Sequence, residues 1–149
     1  MGIRMENKLK HLEFIQNIIT RMNANSFVIK GWSVTLVSAL FALAADKSNL
    51  NFVLVAYVPV LMFWVLDGYF LSQERQYRGL YKNIAAKNEN DIDFNLKATD
   101  YNKDENTWCR STFSTTLNIF HGALLSVVLL VTFGLFVRLF FRLMGCHAD

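Results

Sequence analysis

Three ionisable side chains stand at the edges of otherwise apolar runs. Lys30 precedes GWSVTLVSALFALAA, Asp67 closes PVLMFWVLD, and His121 sits near the start of LNIFHGALLSVVLLVTFGLFV. A charge stranded at the centre of a bilayer costs at least ~2.5 kcal/mol, so ionisable residues kept inside apolar spans serve ion paths, proton relays or buried pairs. The chemistry open to Lys30, Asp67 and His121 is therefore charge pairing or ion passage at a pore mouth. A second reading treats them as boundary residues: near a span end a lysine stretches its ammonium to the headgroups and an aspartate meets interfacial water. On either reading Asp67 marks the boundary, and on the first it also pairs with Lys30.

Other chemistry has little to stand on. The chain has no GxSxG, HExxH, P-loop or GxGxxG motif, so neither a catalytic residue nor a cofactor is expected. His11, His121 and His147 are scattered, and Cys109 and Cys146 form no CxxC, which argues against zinc and against a disulfide framework. Neither thiol has a base close by in sequence to activate it. Arg142 and His147 form an R-x4-H string in RLMGCH, a spacing used by ribonuclease-like helical domains, but here it falls at the end of an apolar run. The stretch DYNKDEN (100–106) has the look of a calcium loop without its central glycine and terminal glutamate, so no metal is expected. A net charge of +3 is too small to argue for a nucleic-acid partner.

The elements that position these residues follow from composition. Of 149 residues 53% are hydrophobic, with 13 phenylalanines and a single proline. A chain this short has too little interior to hide so much apolar surface, which points to the lipid bilayer as a second solvent. Spans of about 20 apolar residues are predicted at 27–45, 50–71 and 117–141. They are apolar all round rather than on one stripe. The first two are separated only by DKSN (46–49) and form a helical hairpin. Folded about residue 48, the hairpin brings Lys30 level with Asp67 and Trp32 level with Trp64, the tryptophans serving as membrane-interface anchors. The N-terminus, MGIRMENKLKHLEF, lacks the apolar core of a signal peptide. Arg4, Lys8, Lys10, Arg21 and Lys30 precede the first span, and Arg75, Arg78, Lys82 and Lys87 follow the second. The N-terminus and middle region are therefore expected in the cytoplasm. The C-terminus would lie outside, against the mild opposition of Arg138 and Arg142.

Both hairpin helices are predicted to continue into the cytoplasm. Met5, Leu9, Leu12, Ile15, Ile19 and Met22 recur at threes and fours in a helix over 5–26, and Phe70, Gln73, Tyr77, Leu80 and Ile84 do so in a stalk over 72–88. Such seams pack on each other or on neighbouring subunits. Glu74, Arg75 and Arg78, with Tyr77, Leu80 and Ile84, are the candidate stalk contacts. The polar insert, 89–112, reads as a solvated loop in which the alternation of Ile92, Phe94 and Leu96 allows a short strand. A cytoplasmic partner or signal would find its docking surface there.

KGWSVTLVSALFALAA and PVLMFWVLDGYFLSQERQYRGLY, residues 30–45 and 59–81, resemble the RipA family of octameric bacterial membrane proteins over roughly the first 85 residues. The likeness centres on WSVTL at Trp32 and on Asp67, Glu74 and Arg75. More distantly the chain is similar to small pore-like membrane accessories of CRISPR systems and to two-span effectors of phage defence. The resemblance implies a homo-oligomer of the bacterial inner membrane, an octamer by analogy, with a channel-like role in stress response or defence, and carries over no catalytic residue. Two functions are thus expected as alternatives. One is an all-α oligomer surrounding a pore. The other is a non-conducting scaffold that recruits a cytoplasmic partner through its stalk and acidic insert.

Overall fold

In the computed structural model, which describes residues 2–47 and 50–145, the chain is all-helical, with no strand among the described residues. Five helices follow in order: α1 (Gly2–Lys47), α2 (Leu50–Val55), α3 (Tyr57–Ala86), α4 (Trp108–Thr112) and α5 (Thr115–Gly145). Single 3-10 turns at Glu89–Asp91, Thr99–Tyr101 and Asp104–Asn106 shape the link from α3 to α4. Three segments, Arg4–Ala45, Asn51–Ala86 and Thr115–Arg142, are long and apolar enough to cross a membrane. Ser48 and Asn49 at the predicted hairpin tip, and Cys146 and His147, lie outside the described residues.

The predicted helix over 5–26 and the span over 27–45 form one 46-residue helix, α1, because nothing between them breaks the hydrogen-bond ladder. The second span is instead divided at Ala56. Pro59 is the reason: it has no N–H to offer the carbonyl of Val55 and its ring crowds that carbonyl. The chain tightens there, with the Ala56 N–H bonded to the Val53 carbonyl at 3.2 Å, and restarts so that Pro59 falls in the first turn of α3, where its missing N–H does no harm.

The chain forms two compact units. The first, here the clamp unit, takes the residues up to Ile29 together with Val65–Ser114. Within it α1 and α3 run antiparallel around a core of Ile15, Ile19, Leu80, Ile84 and Ala98, flanked by Leu12, Tyr77, Tyr81, Ile92 and Tyr101. The predicted seam thus closes at Ile15, Ile19, Leu80 and Ile84, whereas Met5 and Leu9 stay exposed. Each large aliphatic side chain buried here contributes roughly 1.5–3 kcal/mol. Lys8 Nζ donates to the Ala85 and Lys87 carbonyls at 2.9 and 2.8 Å, satisfying orphan acceptors at the α3 C-terminus with a cation that suits the helix dipole.

The insert stays largely exposed and forms no strand. It folds back onto α3, and Ala98 enters the core. Alternating apolar residues fail to make a strand because short polar side chains take the backbone groups a ladder would need. The Asn95 N–H donates to Asp93 Oδ1 at 3.1 Å and the Lys97 N–H to Asn95 Oδ1 at 2.9 Å. Phe94 between them adopts a left-handed backbone, φ 53°.

The second unit, here the apolar unit, takes Lys30–Trp64 and the residues from Thr115 onward. Its core is small: Val37, Ala56, Val60 and Val128, with Leu40, Phe41, Tyr57, Leu124 and Leu125 packed against them. Tyr57 Oη and Thr132 Oγ1 share a hydrogen bond at 3.0 Å. Most large apolar side chains point outward, among them Leu130, Phe133, Phe136 and Phe141. Only 6% of the apolar window of α5 is buried.

Candidate functional site

Asp67 lies in the clamp unit with none of its surface exposed. Its carboxylate accepts a hydrogen bond from Ser26 Oγ at 2.5 Å. Folding about residue 48 sets Asp67 level with residue 29, so Ser26 stands within one helical turn of the expected depth. A hydroxyl bond to a carboxylate is charge-assisted, which makes it short and about twice as strong as a neutral one.

Just beyond Asp67, Gly68 lets α4 approach. A Cβ at Gly68 would stand 2.7 Å from Thr112 Cα, a separation no side chain tolerates. Next along the same face come Ser72 and Gln76, both buried. Ser72 Oγ donates to the Asn106 carbonyl at 2.6 Å, and Gln76 Nε2 donates to Ser72 Oγ at 3.0 Å and Asn102 Oδ1 at 3.4 Å. Arg75 donates to the Glu105 carbonyl at 2.6 Å and to Ser111 Oγ at 3.4 Å. At Gly79 the Tyr101 ring packs so close that a Cβ would lie 2.8 Å from Cδ1. This polar clamp fixes residues 99–112 along α3 from Gly68 to Gly79.

The predicted stalk contacts are engaged inside the chain. Glu74 is buried and pairs with Arg78 one turn on, Nη2 to Oε1 at 2.7 Å. Arg75 holds the insert, and Tyr77, Leu80 and Ile84 build the core.

In the apolar unit Trp64 and Phe120 both meet His121, and Lys30 approaches Phe120. His121 is fully buried, stacked on Trp64 at 5.9 Å with 12° between the rings and edge-on to Phe120 at 5.0 Å. Lys30 Nζ stands 6.0 Å from the Phe120 centroid, the outer reach of a cation–π contact. Trp64 is half-buried against His121, while Trp32 is 56% exposed. Ser33 is wholly buried.

Sequence reasoning missed several residues. Ser26, Ser72, Gln76 and Ser111 are neutral and left no charge signal. Trp108, whose indole N–H donates to the Val65 carbonyl at 3.0 Å, was legible as an aromatic just before an apolar span. His11 is buried in the clamp unit, with Nε2–H donating to the Asn95 carbonyl at 3.2 Å and its ring 5.3 Å from that of Phe94. Cys109 is an exposed free thiol. No group of three or more His, Cys, Asp or Glu side chains among the described residues is placed to hold a metal ion. Comparison with protein-family models, with curated proteins and with solved structures finds no match to this chain.

Proposed function

We propose that the chain is a three-span protein of the bacterial inner membrane, N-terminus in the cytoplasm, that assembles into a homo-oligomeric, pore-like effector of stress response or phage defence. One observation carries this reading. Along α1, Gly31, Thr35, Ser38, Ala42 and Ala45 recur at alternating fours and threes, are all small, and are all exposed. A Cβ at Gly31 would meet nothing within 4 Å. The other side of the same helix, Ser33, Val37 and Ala44, is the buried one. Lipid supplies no hydrophobic drive for helix association, so helices in membranes meet through small residues that let backbones approach. The stripe suits a neighbouring copy, and its two hydroxyls suit a water path at the centre of a ring. The likeness to an octameric family supports the same reading.

Because Asp67 and His121 are wholly buried, Thr35 and Ser38 become the better candidates to meet permeating ions. The test is planar-bilayer recording on Ser38→Cys in a Cys109→Ser, Cys146→Ser background. A steady current that falls by more than half on adding a membrane-impermeant methanethiosulfonate supports the pore. An intact oligomer that passes no current sinks it.

The scaffold reading is favoured by a different observation: the insert is a preformed surface, with Phe94 and Leu96 exposed among Asp93, Asn95 and Lys97. On that reading Leu96→Asp abolishes capture of a cytoplasmic protein and leaves membrane potential untouched. Capture that survives Leu96→Asp removes this surface as the docking site.

A further inference from the structure

Three contacts stitch the clamp unit together at one cross-section. Ser26 of α1 bonds to Asp67 of α3, the Trp108 indole bonds to the Val65 carbonyl of α3, and Gly68 of α3 receives Thr112 of α4. Residues 26, 65–68 and 108–112 are therefore at one level. Large exposed aromatic residues gather at that level on each of the three helices or beside it: Phe27 is 78% exposed, Phe113 65%, Trp108 49% and Tyr69 42%. Tyr69 and Trp108 meet edge to face at 5.9 Å. The Trp108 N–H is already satisfied inside the protein, so the surface it presents is ring carbon alone.

Charge is divided between the units as well. Arg21, Glu74, Arg75, Arg78, Glu105 and Arg110 belong to the clamp unit. In the apolar unit, residues 31–45, 57–64 and 115–137 carry no Asp, Glu, Lys or Arg. Lys30 stands about 6 Å along α1 from Ser26, within reach of the headgroups for an extended lysine.

We infer that Phe27, Tyr69, Trp108 and Phe113 form an interfacial girdle that seats in the phospholipid headgroup–acyl boundary at the level of the Ser26–Asp67 bond. The inference rests on the membrane reading above and adds where the boundary falls. Trp and Tyr collect at the headgroup level, and the exposed rings of Phe27 and Phe113 beside them add apolar surface that the acyl chains can cover. Seated there, α4 is a strap lying on the membrane surface, and Asp67 is shielded at headgroup depth by the girdle around it. The insert is then bolted to α3 on one side and to lipid on the other. Trp32, five residues beyond Phe27 along the continuous α1, or about 7 Å of helix, is expected deeper.

The test uses full-length protein in phosphatidylcholine–phosphatidylglycerol vesicles bearing spin labels at shallow or deep acyl positions, with iodide as the aqueous quencher. Trp108 is read alone in Trp32→Phe, Trp64→Phe, and Trp32 alone in Trp64→Phe, Trp108→Phe. The expected result is Trp108 quenched at least twofold more by the shallow label than by the deep one, and Trp32 by the deep label. Moving the probe by Phe113→Trp in a background with all three tryptophans changed to Phe gives the same shallow preference, guarding against a local effect of one variant. Trp108 quenched by iodide alone, while Trp32 responds to lipid labels, overturns the girdle but leaves the membrane reading standing. Trp108 shielded from lipid labels and iodide alike means that protein covers it, a second copy being the obvious occupant, and overturns the girdle too. No lipid quenching at either tryptophan overturns both.

Discussion

The two units solve the same problem in opposite ways. The clamp unit puts Ile15, Ile19, Leu80 and Ile84 inside and seals them with a polar strap. The apolar unit also buries small and aliphatic side chains, among them Val37, Val53, Val60, Leu117 and Val128, but turns most of its leucines and phenylalanines out. A chain in water gains roughly 25 cal/mol for each Å² of apolar surface withdrawn, so the first arrangement is what water selects. The second leaves that gain unclaimed unless another solvent or another copy of the chain covers the surface. Exposure of apolar side chains, read unit by unit, therefore reports which solvent each unit is built for.

Substitutions that break one unit should leave the other standing. Ile84→Ala removes a side chain only 1% exposed and is expected to cost ~2–5 kcal/mol. Hydrogen exchange in nanodiscs should show lost protection across α3 and the insert, with α5 unchanged. Equal loss in α5 would mean that the units do not behave independently. Leu130→Arg probes the opposite case, at a residue 69% exposed. In water the change would be almost free, whereas at a bilayer centre arginine costs ~2.5–3.5 kcal/mol. A glycosylation-based insertion assay should show markedly reduced insertion of α5, and insertion equal to wild type would contradict the assignment of lipid as its solvent.

Ser26→Ala leaves the buried Asp67 carboxylate short of a donor, with an expected loss of ~1–3 kcal/mol. The thermal midpoint of the solubilised protein should fall, and Ser26→Thr should restore part of it. Arg78→Ala breaks an ion pair whose arginine is 57% exposed, so ~0–1 kcal/mol is the expected range, shrinking further in high salt. A salt-independent loss would show that Arg78 does more than pair with Glu74.

The smallest effect concerns Asp93. The Asn95 N–H hydrogen-bonded to it, aided by nearby Lys87, holds its carboxyl below the ordinary value of 3.8. A carboxyl lowered on folding stabilises the fold above its unfolded value, and that contribution disappears as pH falls through the lower folded value. The Asn95 amide resonance should therefore titrate below pH 3.8 in the wild-type protein and stay flat in Asp93→Asn. Titration above that value would mean that the Asx turn does not form.

Much of this was legible from residue spacing. The threes and fours of Ile15, Ile19, Leu80 and Ile84 announced the clamp core, because burial is periodic and both helices run unbroken through it. The depth of Asp67 came within a turn because helical rise is fixed. Its Ser26 partner stayed hidden, since a serine in NANSFVIK carries no sign that it faces an acid. The strand that the insert's alternation allowed is absent for a related reason. The insert's fold depends on Ser72 and Gln76, distant in sequence, and on Asx turns at Asp93 and Asn95 that outcompete the alternation of Ile92, Phe94 and Leu96. Gly68 and Gly79 looked like isolated glycines in a helix and proved to be the two places where the strap must come closest.

The most direct test of the central claim is the mass of the protein-only particle after mild solubilisation, by light scattering with the detergent contribution subtracted. The account predicts a discrete particle of several 17.2 kDa chains, reduced to single chains when Gly31→Leu and Ala42→Leu fill the small-residue stripe of α1. A wild-type monomer would contradict it, because three helices from one chain cannot enclose a water path.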